Sequence, residues 1–332
     1  MLMNDSKVLI TGGCGFIGTA LIRTLRRLYP RIGIRVLDSL LTGTEEDLAS
    51  VAPVRNGMDS GLPSSDAVQL VVGDIRDPEL IREAASGCSA IVHLAANTGV
   101  GPSVEDPRLD MEVNVQGTFN VLEAARLEGV PRMVFASSGA PVGEIEPPIH
   151  EEVAPHPVSP YGSSKLAGEG YCSSYWRTFG VETVCLRFGN VYGPGSGHKS
   201  SVVAKFIREA LADKTCHIYG DGRQTRDFIY IDDLVYAIQL SLESDVAGET
   251  FQIACGMERT VAEIAELIST ALARKGVEMR VEHEAARRGD VLRNYSDTRK
   301  AKNMLGWQPE VSLEEGIERT VNDFLNTRGK YE

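Results

Sequence analysis

Tyr161 and Lys165, in the segment Tyr161-Gly-Ser-Ser-Lys165, are residues whose types and spacing could do proton chemistry. Side chains four residues apart on a helix lie on one face, with Cβ atoms roughly 5–6 Å apart. A free phenol has a pKa of about 10, and a nearby ammonium lowers that pKa by favouring the phenolate. Ser138 could hydrogen-bond the substrate hydroxyl that Tyr161 deprotonates. The three residues predict a proton-handling site for an alcohol. Because such an alcohol usually loses a hydride too, we expect a hydride acceptor nearby.

The setting of this pair differs from that of an ordinary solvated Tyr and Lys on a helix. An apolar run, Met133–Ala136, precedes the pair and ends in two serines, and a second apolar run, Val181–Phe188, follows it. Short apolar runs of this kind are typical of strands buried on both faces. We therefore predict a helix that lies between two strands of a parallel sheet.

A glycine-rich turn near the N-terminus predicts where a dinucleotide binds. The strand Lys7–Ile10 leads into Thr11-Gly-Gly-Cys-Gly-Phe-Ile-Gly18, and a helical stretch follows. Gly12 permits the tight turn, Gly15 lets the backbone approach a pyrophosphate, and Gly18 lets the helix pack against the strand. Free N–H groups at the start of the helix would then bind phosphate. The alternative is a glycine-rich turn without a ligand.

Asp38 ends the next predicted strand, twenty residues beyond Gly18. An acid at this place binds the ribose hydroxyls of adenosine and disfavours a 2′-phosphate. No Arg follows Asp38 directly. We therefore predict NAD rather than NADP as the hydride acceptor.

The remaining pattern up to residue 190 predicts the fold. Val68–Val72 and Ala90–Ala96 are predicted strands, residues 109–128 form a predicted helix, and residues 43–66 form a polar surface excursion. Alternation of strands and helices indicates an α/β fold, a Rossmann-type doubly wound parallel sheet. Ligands of such sheets bind at the carboxyl ends of the strands.

Three polar residues in this half allow more than one interpretation. Asp74 could meet the adenine edge, or it could cap the helix that begins near Pro78. His93 lies inside an apolar strand, and we interpret it as a core histidine rather than as a base. Asn114 has apolar neighbours and is expected to bridge backbone groups of adjacent strands, a structural role.

After Pro194 the alternation breaks up, which favours a smaller C-terminal α/β substrate lobe. We predict an NAD-binding domain over residues 1–190, to which part of 220–255 returns, and a mainly substrate-binding lobe over 191–332. Arg226 and Arg287 are candidates for a diphosphate clamp, since a guanidinium presents a fork suited to phosphate. Either could instead be a surface Arg. Tyr219 could stack on a nucleobase or pack in the core.

Composition and charge limit the partners. The net charge of −12 argues against nucleic acid or an anionic membrane as a partner. We find neither a signal peptide nor a run of about 20 apolar residues that could span a membrane. The six cysteines are scattered without a C-x-x-C motif. We predict reduced thiols, a cytoplasmic protein and no metal site.

Taken together, the motifs resemble a known family, the extended short-chain dehydrogenase/reductases, and within it the nucleotide-sugar epimerase/dehydratase group. The resemblance covers nearly the whole chain. It is carried, in family order, by Thr11–Gly18, Asp74-Ile75, His93–Ala96, Tyr161-x-x-x-Lys165, Leu186-Arg-Phe-Gly-Asn190-Val-Tyr-Gly-Pro194 and Arg226-Asp-Phe-Ile. It implies a homodimer that packs through two helices per subunit, here near residues 109–128 and 160–178.

The resemblance also implies roles for individual residues. The catalytic set would be Ser138, Tyr161 and Lys165. NAD would be bound by Gly12, Gly15, Phe16, Ile17, Gly18, Asp38, Ser39, Thr42, Gly43, Asp74, Ile75, Leu94, Ala95, Ala96, Tyr161 and Lys165. A UDP-sugar would be bound by Ser138, Asn190, Ser201, Val202, His217, Tyr219, Arg226, Arg287, Asp290 and Asn294.

The residues after Ser138 bear on the reaction. The family's 4,6-dehydratases carry an Asp-Glu pair there and its uronate decarboxylases a Glu, whereas this chain has Gly139-Ala140-Pro141. Loss of water or carbon dioxide needs such a group and epimerisation does not, so the resemblance favours a UDP-hexose 4-epimerase. The alternatives are a UDP-glucuronate 4-epimerase, a dehydratase or decarboxylase of the same fold, and a non-catalytic NAD-binding protein. Pro141-Val142-Gly143 replaces the family's usual Val-Tyr-Gly, which removes an aromatic from the expected sugar wall.

The sugar itself stays open at this point. Epimerases for plain hexoses often carry a bulky aromatic where Asn294 aligns, and a smaller side chain would leave room for an N-acetyl group. An alignment shifted by one residue would place Tyr295 there instead. Uronate epimerases often have an Arg soon after the Tyr-Gly-Pro turn, where this chain has His198-Lys199.

Overall fold

Apolar strands and amphipathic helices alternate along the chain in the computed structural model, which describes residues 6–58, 67–286 and 292–327. The strands are β1 (Lys7–Thr11), β2 (Gly33–Asp38), β3 (Val54–Asn56), β4 (Val68–Val72), β5 (Ala90–His93), β6 (Arg132–Ser138), β7 (Glu182–Phe188), β8 (Asn190–Tyr192), β9 (Cys216–Tyr219), β10 (Thr225–Arg226), β11 (Phe228–Tyr230), β12 (Glu249–Ile253), β13 (Arg259–Thr260) and β14 (Val281–Glu284).

The helices are α1 (Phe16–Leu28), α2 (Glu45–Ala49), α3 (Pro78–Ala85), α4 (Val100–Glu105), α5 (Pro107–Met111), α6 (Thr118–Leu127), α7 (Pro160–Phe179), α8 (Val202–Leu211), α9 (Ile231–Glu243), α10 (Val261–Ala273), α11 (Arg299–Leu305) and α12 (Leu313–Asn326). A π-helical turn, Glu112–Gly117, joins α5 to α6, and a 3₁₀ turn, Ala140–Val142, follows β6.

Eight strands form one parallel sheet in the order β12-β7-β6-β5-β1-β2-β4-β3. Alternate residues of β1 enter different cores: Val8 and Ile10 belong to one apolar cluster and Leu9 to the other. Each face of the sheet is therefore covered, as expected for strands that are apolar throughout. The predicted Rossmann-type doubly wound sheet is confirmed. Strand β12 joins it at one edge, while the division of the chain at residue 190 stays a prediction.

Some predicted boundaries were wrong. The strand predicted over Ala90–Ala96 ends at His93, because the backbone of Leu94 and Ala95 donates to Thr11 and leaves the ladder. The helix predicted over 109–128 begins at Pro107 and widens into the π-helical turn. The excursion predicted over 43–66 contains α2 and the edge strand β3, and it buries Leu48 in the core.

The C-terminal half is built differently. Its strands pair in small ladders, β8 with β11, β9 with β14 and β10 with β13, among the residues described. Helices α8, α10 and α12 pack around these ladders. Across the described segments, no helix is long and apolar enough to cross a membrane.

Candidate active site

Helix α7 positions the Tyr-Lys pair. The helix begins at Pro160, and the side chain of Ser159 caps it by accepting a hydrogen bond from Gly162 N at 3.1 Å. Lys165 is buried one turn after Tyr161, and its Nζ donates to Ala136 O on β6 at 2.9 Å. The same Nζ lies 5.8 Å from the centroid of the Tyr161 ring. The helix therefore brings the two side chains together against the end of β6, as predicted.

Burial governs the protonation of this pair. It raises the pKa of Tyr161 to about 12, and a hydrogen bond with the Ser138 side chain opposes the rise. Burial also lowers the pKa of Lys165 to about 8, although the carboxylate of Asp110 favours the ammonium. The predicted lowering of the Tyr161 pKa by Lys165 was therefore wrong: desolvation of the phenolate dominates. Ser138 thus lies beside Tyr161, and its predicted contact with a substrate hydroxyl stays a prediction.

A buried ion pair fixes the end of β6 next to this site. Glu169 lies one turn beyond Lys165 on α7, and Arg187 of β7 donates to it at 2.8 and 2.7 Å. Ser137 also donates to Glu169, at 2.5 Å. This network was not predicted from the sequence. An Arg inside the apolar run Leu186-Arg-Phe188 was the available signal, because a charge in a buried strand needs a partner.

The glycine turn fits a dinucleotide. Gly12 has φ +71°, and a Cβ there would lie 2.7 Å from Ala95 N, so the turn packs directly on the loop after β5. Helix α1 has Gly15 as its N-cap, without a capping side chain and without an acid in its first turn. The first N–H groups of α1 therefore remain for a phosphate, which such helix ends attract. Phe16 and Ile17 open this helix, and Gly18 packs on Gly13.

Asp38 and its neighbours lie beside this turn. The Asp38 carboxylate is buried and accepts hydrogen bonds from Cys14 N and Leu40 N, both at 2.9 Å. Gly43 packs so closely that a Cβ would lie 2.2 Å from Cys14 O. Ser39 and Thr42 are exposed. Asp38 thus holds the turn itself, and its place beside the turn fits the predicted contact with ribose.

Other predicted residues divide into confirmed and corrected cases. His93 is a core histidine, as predicted: it bonds Thr11 and Thr118 through its two ring nitrogens, and burial lowers its pKa to about 3. Asp74 does not cap α3. Asp77 does, while Asp74 pairs with Arg76.

Three more predicted cofactor residues follow strands β4 and β5. Ile75 is buried, and Leu94 and Ala96 are partly buried. Asn114, in the π-helical turn, bonds the backbone N and O of Asn97 at 2.9 Å each. It therefore bridges backbone groups as expected, but they belong to the loop after β5 rather than to two strands.

The predicted substrate residues lie at the carboxyl side of β7 and in the C-terminal ladders. Ser201 is the N-cap of α8, yet its buried hydroxyl has no partner among the described residues, which suits a ligand contact. Val202 begins the same helix. Asn190 Nδ2 donates to Asp227 O at 3.4 Å, and Asn294 N donates to Thr225 Oγ1 at 3.2 Å.

The remaining substrate candidates are spread over β9 and β10. His217 Nδ1 lies 3.0 Å from Glu284, and Tyr219 is partly buried with Lys205 5.6 Å from its ring centroid. Arg226 is partly buried and pairs in register with Arg259 of β13. Arg287 and Asp290 lie outside the described residues.

Comparison with known proteins identifies the family. The family model described as NAD dependent epimerase/dehydratase family matches residues 8–254. The chain belongs to this family. The UDP-glucose 4-epimerase of Mycolicibacterium smegmatis is 36% identical over 325 residues, which are 96% of this chain and 99% of that protein. The dTDP-glucose 4,6-dehydratase of Streptomyces niveus is 33% identical over 98% of this chain and 95% of that protein.

A solved structure connects the fold with the cofactor. The UDP-glucose 4-epimerase of Thermus thermophilus, crystallised in complex with NAD, superposes with a TM-score of 0.81. It is 35% identical and covers 96% of this chain and 99% of that one. The predicted extended short-chain dehydrogenase/reductase fold and the NAD cofactor are thereby confirmed for this epimerase/dehydratase family enzyme.

Proposed function

We propose that the protein is a 4-epimerase of UDP-hexoses, acting on UDP-glucose and UDP-galactose or on their N-acetyl forms. The observation that carries the proposal is the side-chain set at the end of β6: Ser138, Tyr161 and Lys165 meet there, and Gly139 follows without a carboxylate. A Cβ at Gly139 would meet no atom within 4 Å, so the place taken by an acid in the dehydratase pattern is open.

In the proposed reaction, Ser138 orients the 4-hydroxyl of the sugar toward Tyr161. Tyr161 takes the hydroxyl proton as a general base and returns it to the same oxygen, O4, once the 4-keto sugar has turned its opposite face toward the cofactor. NAD⁺, when bound, supplies the acceptor that takes the C4 hydride and gives it back, so no net oxidation results. Lys165, charged below about pH 8 and with its Nζ 5.8 Å from the centroid of the Tyr161 ring, would offset part of the desolvation that raises the pKa of Tyr161.

The substrate contacts are part of the same proposal. The unpartnered hydroxyl of Ser201, the amide of Asn190 and the guanidinium of Arg226 would bind the nucleotide-sugar, with Arg226 on its diphosphate. Asn294 would leave room for an N-acetyl group. His217, Tyr219 and Val202 would line the nucleotide end.

A substrate panel tests the reaction. We would supply UDP-glucose, UDP-N-acetylglucosamine and UDP-glucuronate separately, without added nicotinamide cofactor, and separate the products by chromatography with mass detection. We expect the 4-epimer of at least one hexose form with unchanged mass. A product that has lost water or carbon dioxide would refute the proposal. Epimerisation of UDP-glucuronate alone would indicate that the substrate is an acidic sugar.

A dehydratase of the same fold is the second candidate, because the relative from Streptomyces niveus is named dTDP-glucose 4,6-dehydratase. Dehydration requires an acid–base group that removes water beyond the oxidised carbon. Gly139-Ala140-Pro141 offers no carboxylate at the place where the dehydratase pattern has one. Product mass distinguishes the two reactions.

We also propose a homodimer through the α5–α6 and α7 helices. Phe119 is 38% exposed, Tyr171 40% and Phe179 52%, and Phe119 packs edge-on against Tyr171 at 5.6 Å between centroids. An exposed aromatic surface of this kind is typical of an interface.

The division into two domains and the cytoplasmic location remain predictions.

A substitution tests the dimer. Phe119→Glu places a charge in the centre of the proposed contact, and we expect sedimentation equilibrium to show a monomer where the unchanged protein is dimeric. Met304→Glu, on the exposed side of α11, is the matched control, and this variant should sediment with the molar mass of a dimer. An unchanged protein that sediments as a monomer would contradict the proposal.

A further inference from the structure

Lys199 brings a positive charge from the C-terminal half of the chain to the start of the cofactor helix. Its Nζ lies 5.4 Å from the centroid of the Phe16 ring. Phe16 is the first residue of α1, the helix that the glycine turn opens. Gly195, four residues earlier, also faces this ring, since a Cβ built there would lie 3.7 Å from Phe16 Cδ2.

Hydrogen bonds hold the segment that carries Lys199 in place. Lys199 N donates to Ser196 O at 2.9 Å, and Ser196 Oγ donates to Gly193 O at 2.6 Å. From α8, Arg208 Nη1 donates to Gly197 O at 2.6 Å and to Lys199 O at 3.1 Å. The backbone of Lys199 is therefore held in place by the fold, and Lys199 does not belong to an unconstrained surface loop.

The charge of Lys199 has no counter-ion among the described residues. Burial lowers the pKa of its ammonium, and no carboxylate opposes that change. A partly buried cation without a partner is costly. The adjacent end of α1 adds a partial positive charge of its own, because its first N–H groups lack a capping side chain and its first turn lacks an acid. An anion between the two would relieve both.

We propose that Lys199 binds the diphosphate of the dinucleotide at the start of α1, so that retention of NAD depends on the Gly193–Lys199 segment of the C-terminal half. The inference rests on the proposed cofactor site at the glycine turn. It adds a residue that neither the glycine motif nor Asp38 implies, and it makes the sugar-binding half contribute to holding the cofactor.

Binding measurements on the whole protein, freed of nucleotide and without any sugar, test this role. Lys199→Met keeps the length and apolar stem of the side chain but removes the charge. One charge-assisted contact corresponds to roughly a 10- to 100-fold loss of affinity for NAD⁺ and for ADP-ribose. Adenosine, which lacks the diphosphate, should bind equally well to both proteins. Lys199→Arg should retain most of the affinity.

A matched control separates a lost anion contact from a lost packing contact. Lys300 also lies over an aromatic ring, 5.2 Å from the centroid of Phe251, and away from the glycine turn. Lys300→Met should leave NAD⁺ affinity unchanged, and thermal melts should show that both variants fold. Unchanged NAD⁺ affinity in Lys199→Met would overturn the inference, as would a loss seen only for UDP. Because no sugar is present, failure here is distinct from failure of the epimerase proposal.

Discussion

Two buried carboxylates, Glu169 beside the large sheet and Asp227 in the C-terminal half, show how differently the two regions are held. Glu169 faces a guanidinium, that of Arg187, at 2.7 Å. Within the described residues, the Asp227 carboxylate accepts hydrogen bonds from backbone N–H groups, among them Cys255 N, Gly256 N and Ser296 N at 2.8 to 3.1 Å, and faces no guanidinium or ammonium. Burial raises the pKa of Asp227 to about 6.

The two regions position their side chains in different ways. In the sheet region, β6 and α7 position Ser138, Tyr161 and Lys165. The Glu169–Arg187 pair adds one contact between α7 and β7, which already pack against each other. In the C-terminal half the ladders are two to four residues long, and one carboxylate joins three separate segments. If the proposed function is right, the chemistry lies on the regular region and substrate recognition on the region held by single side chains.

The largest expected effect is in the sheet region. Tyr161→Phe removes the hydroxyl that handles the proton, and we expect the turnover number to fall roughly 100- to 10,000-fold. NAD content and the thermal midpoint should change little, since the ring remains. Tyr236→Phe, at an exposed position of α9, is the control. A variant that keeps its turnover would place the chemistry elsewhere, and a parent protein inert on the whole panel would favour a non-catalytic NAD-binding role.

The ion pair beneath the site should matter next. Glu169→Gln leaves the Arg187 guanidinium buried without a counter-charge, which typically costs about 3–5 kcal/mol of unfolding free energy. Urea titration of the variant at neutral pH measures this cost. A loss of unfolding free energy below about 1 kcal/mol would mean that the ion pair contributes little to the stability of the sheet region. The proposed difference between Glu169 and Asp227 would then be contradicted.

Asp227→Asn should cost less, about 1–2 kcal/mol at pH 7, from weakened hydrogen bonds in the C-terminal half. Its pH dependence is the sharper test. The folded-state pKa of about 6 lies above the ordinary value of 3.8, so the folded protein binds the proton more readily and this group favours folding as pH falls through 6. The stability advantage of the unchanged protein over the variant should therefore widen between pH 7 and pH 5. A narrowing gap would contradict this interpretation.

These contrasts also explain what the sequence could predict. The glycine turn, Asp38 and the Tyr161–Lys165 pair could be predicted because their spacing is local and lies inside strongly patterned strands and helices. The same pattern of strands and helices predicted the fold. The contacts of Lys199, Asp227 and Glu169 join residues far apart in the chain, and no local pattern encodes which N–H or guanidinium each will meet. The sign of the Tyr161 pKa shift failed for the same reason: it depends on how much water the packed fold excludes.

A change in stability similar in size to that of Asp227→Asn, but of opposite sign, is expected from the buried lysine of the site. The folded-state pKa of Lys165, about 8, lies below the ordinary value of 10.5, so its burial costs stability below pH 8 and the cost fades between pH 8 and 10.5. Lys165→Met should therefore raise the unfolding free energy by about 1–2 kcal/mol at pH 7, allowing for the lost bond to Ala136, while activity falls. Urea titrations at pH 7 and pH 10 should show the gain shrinking. A variant less stable than the parent at pH 7 would contradict the expectation.

The fate of a label at the reacting carbon tests the epimerase proposal most directly. UDP-glucose carrying deuterium at C4 would be incubated with the purified protein, and the products would be analysed by NMR and mass spectrometry. If the hydride leaves C4 and returns to C4 while Ser138 and Tyr161 handle the O4 proton, the product is UDP-galactose with the deuterium still at C4. Deuterium found at C6 of a sugar that has lost water would contradict that reaction and assign the protein to the dehydratases.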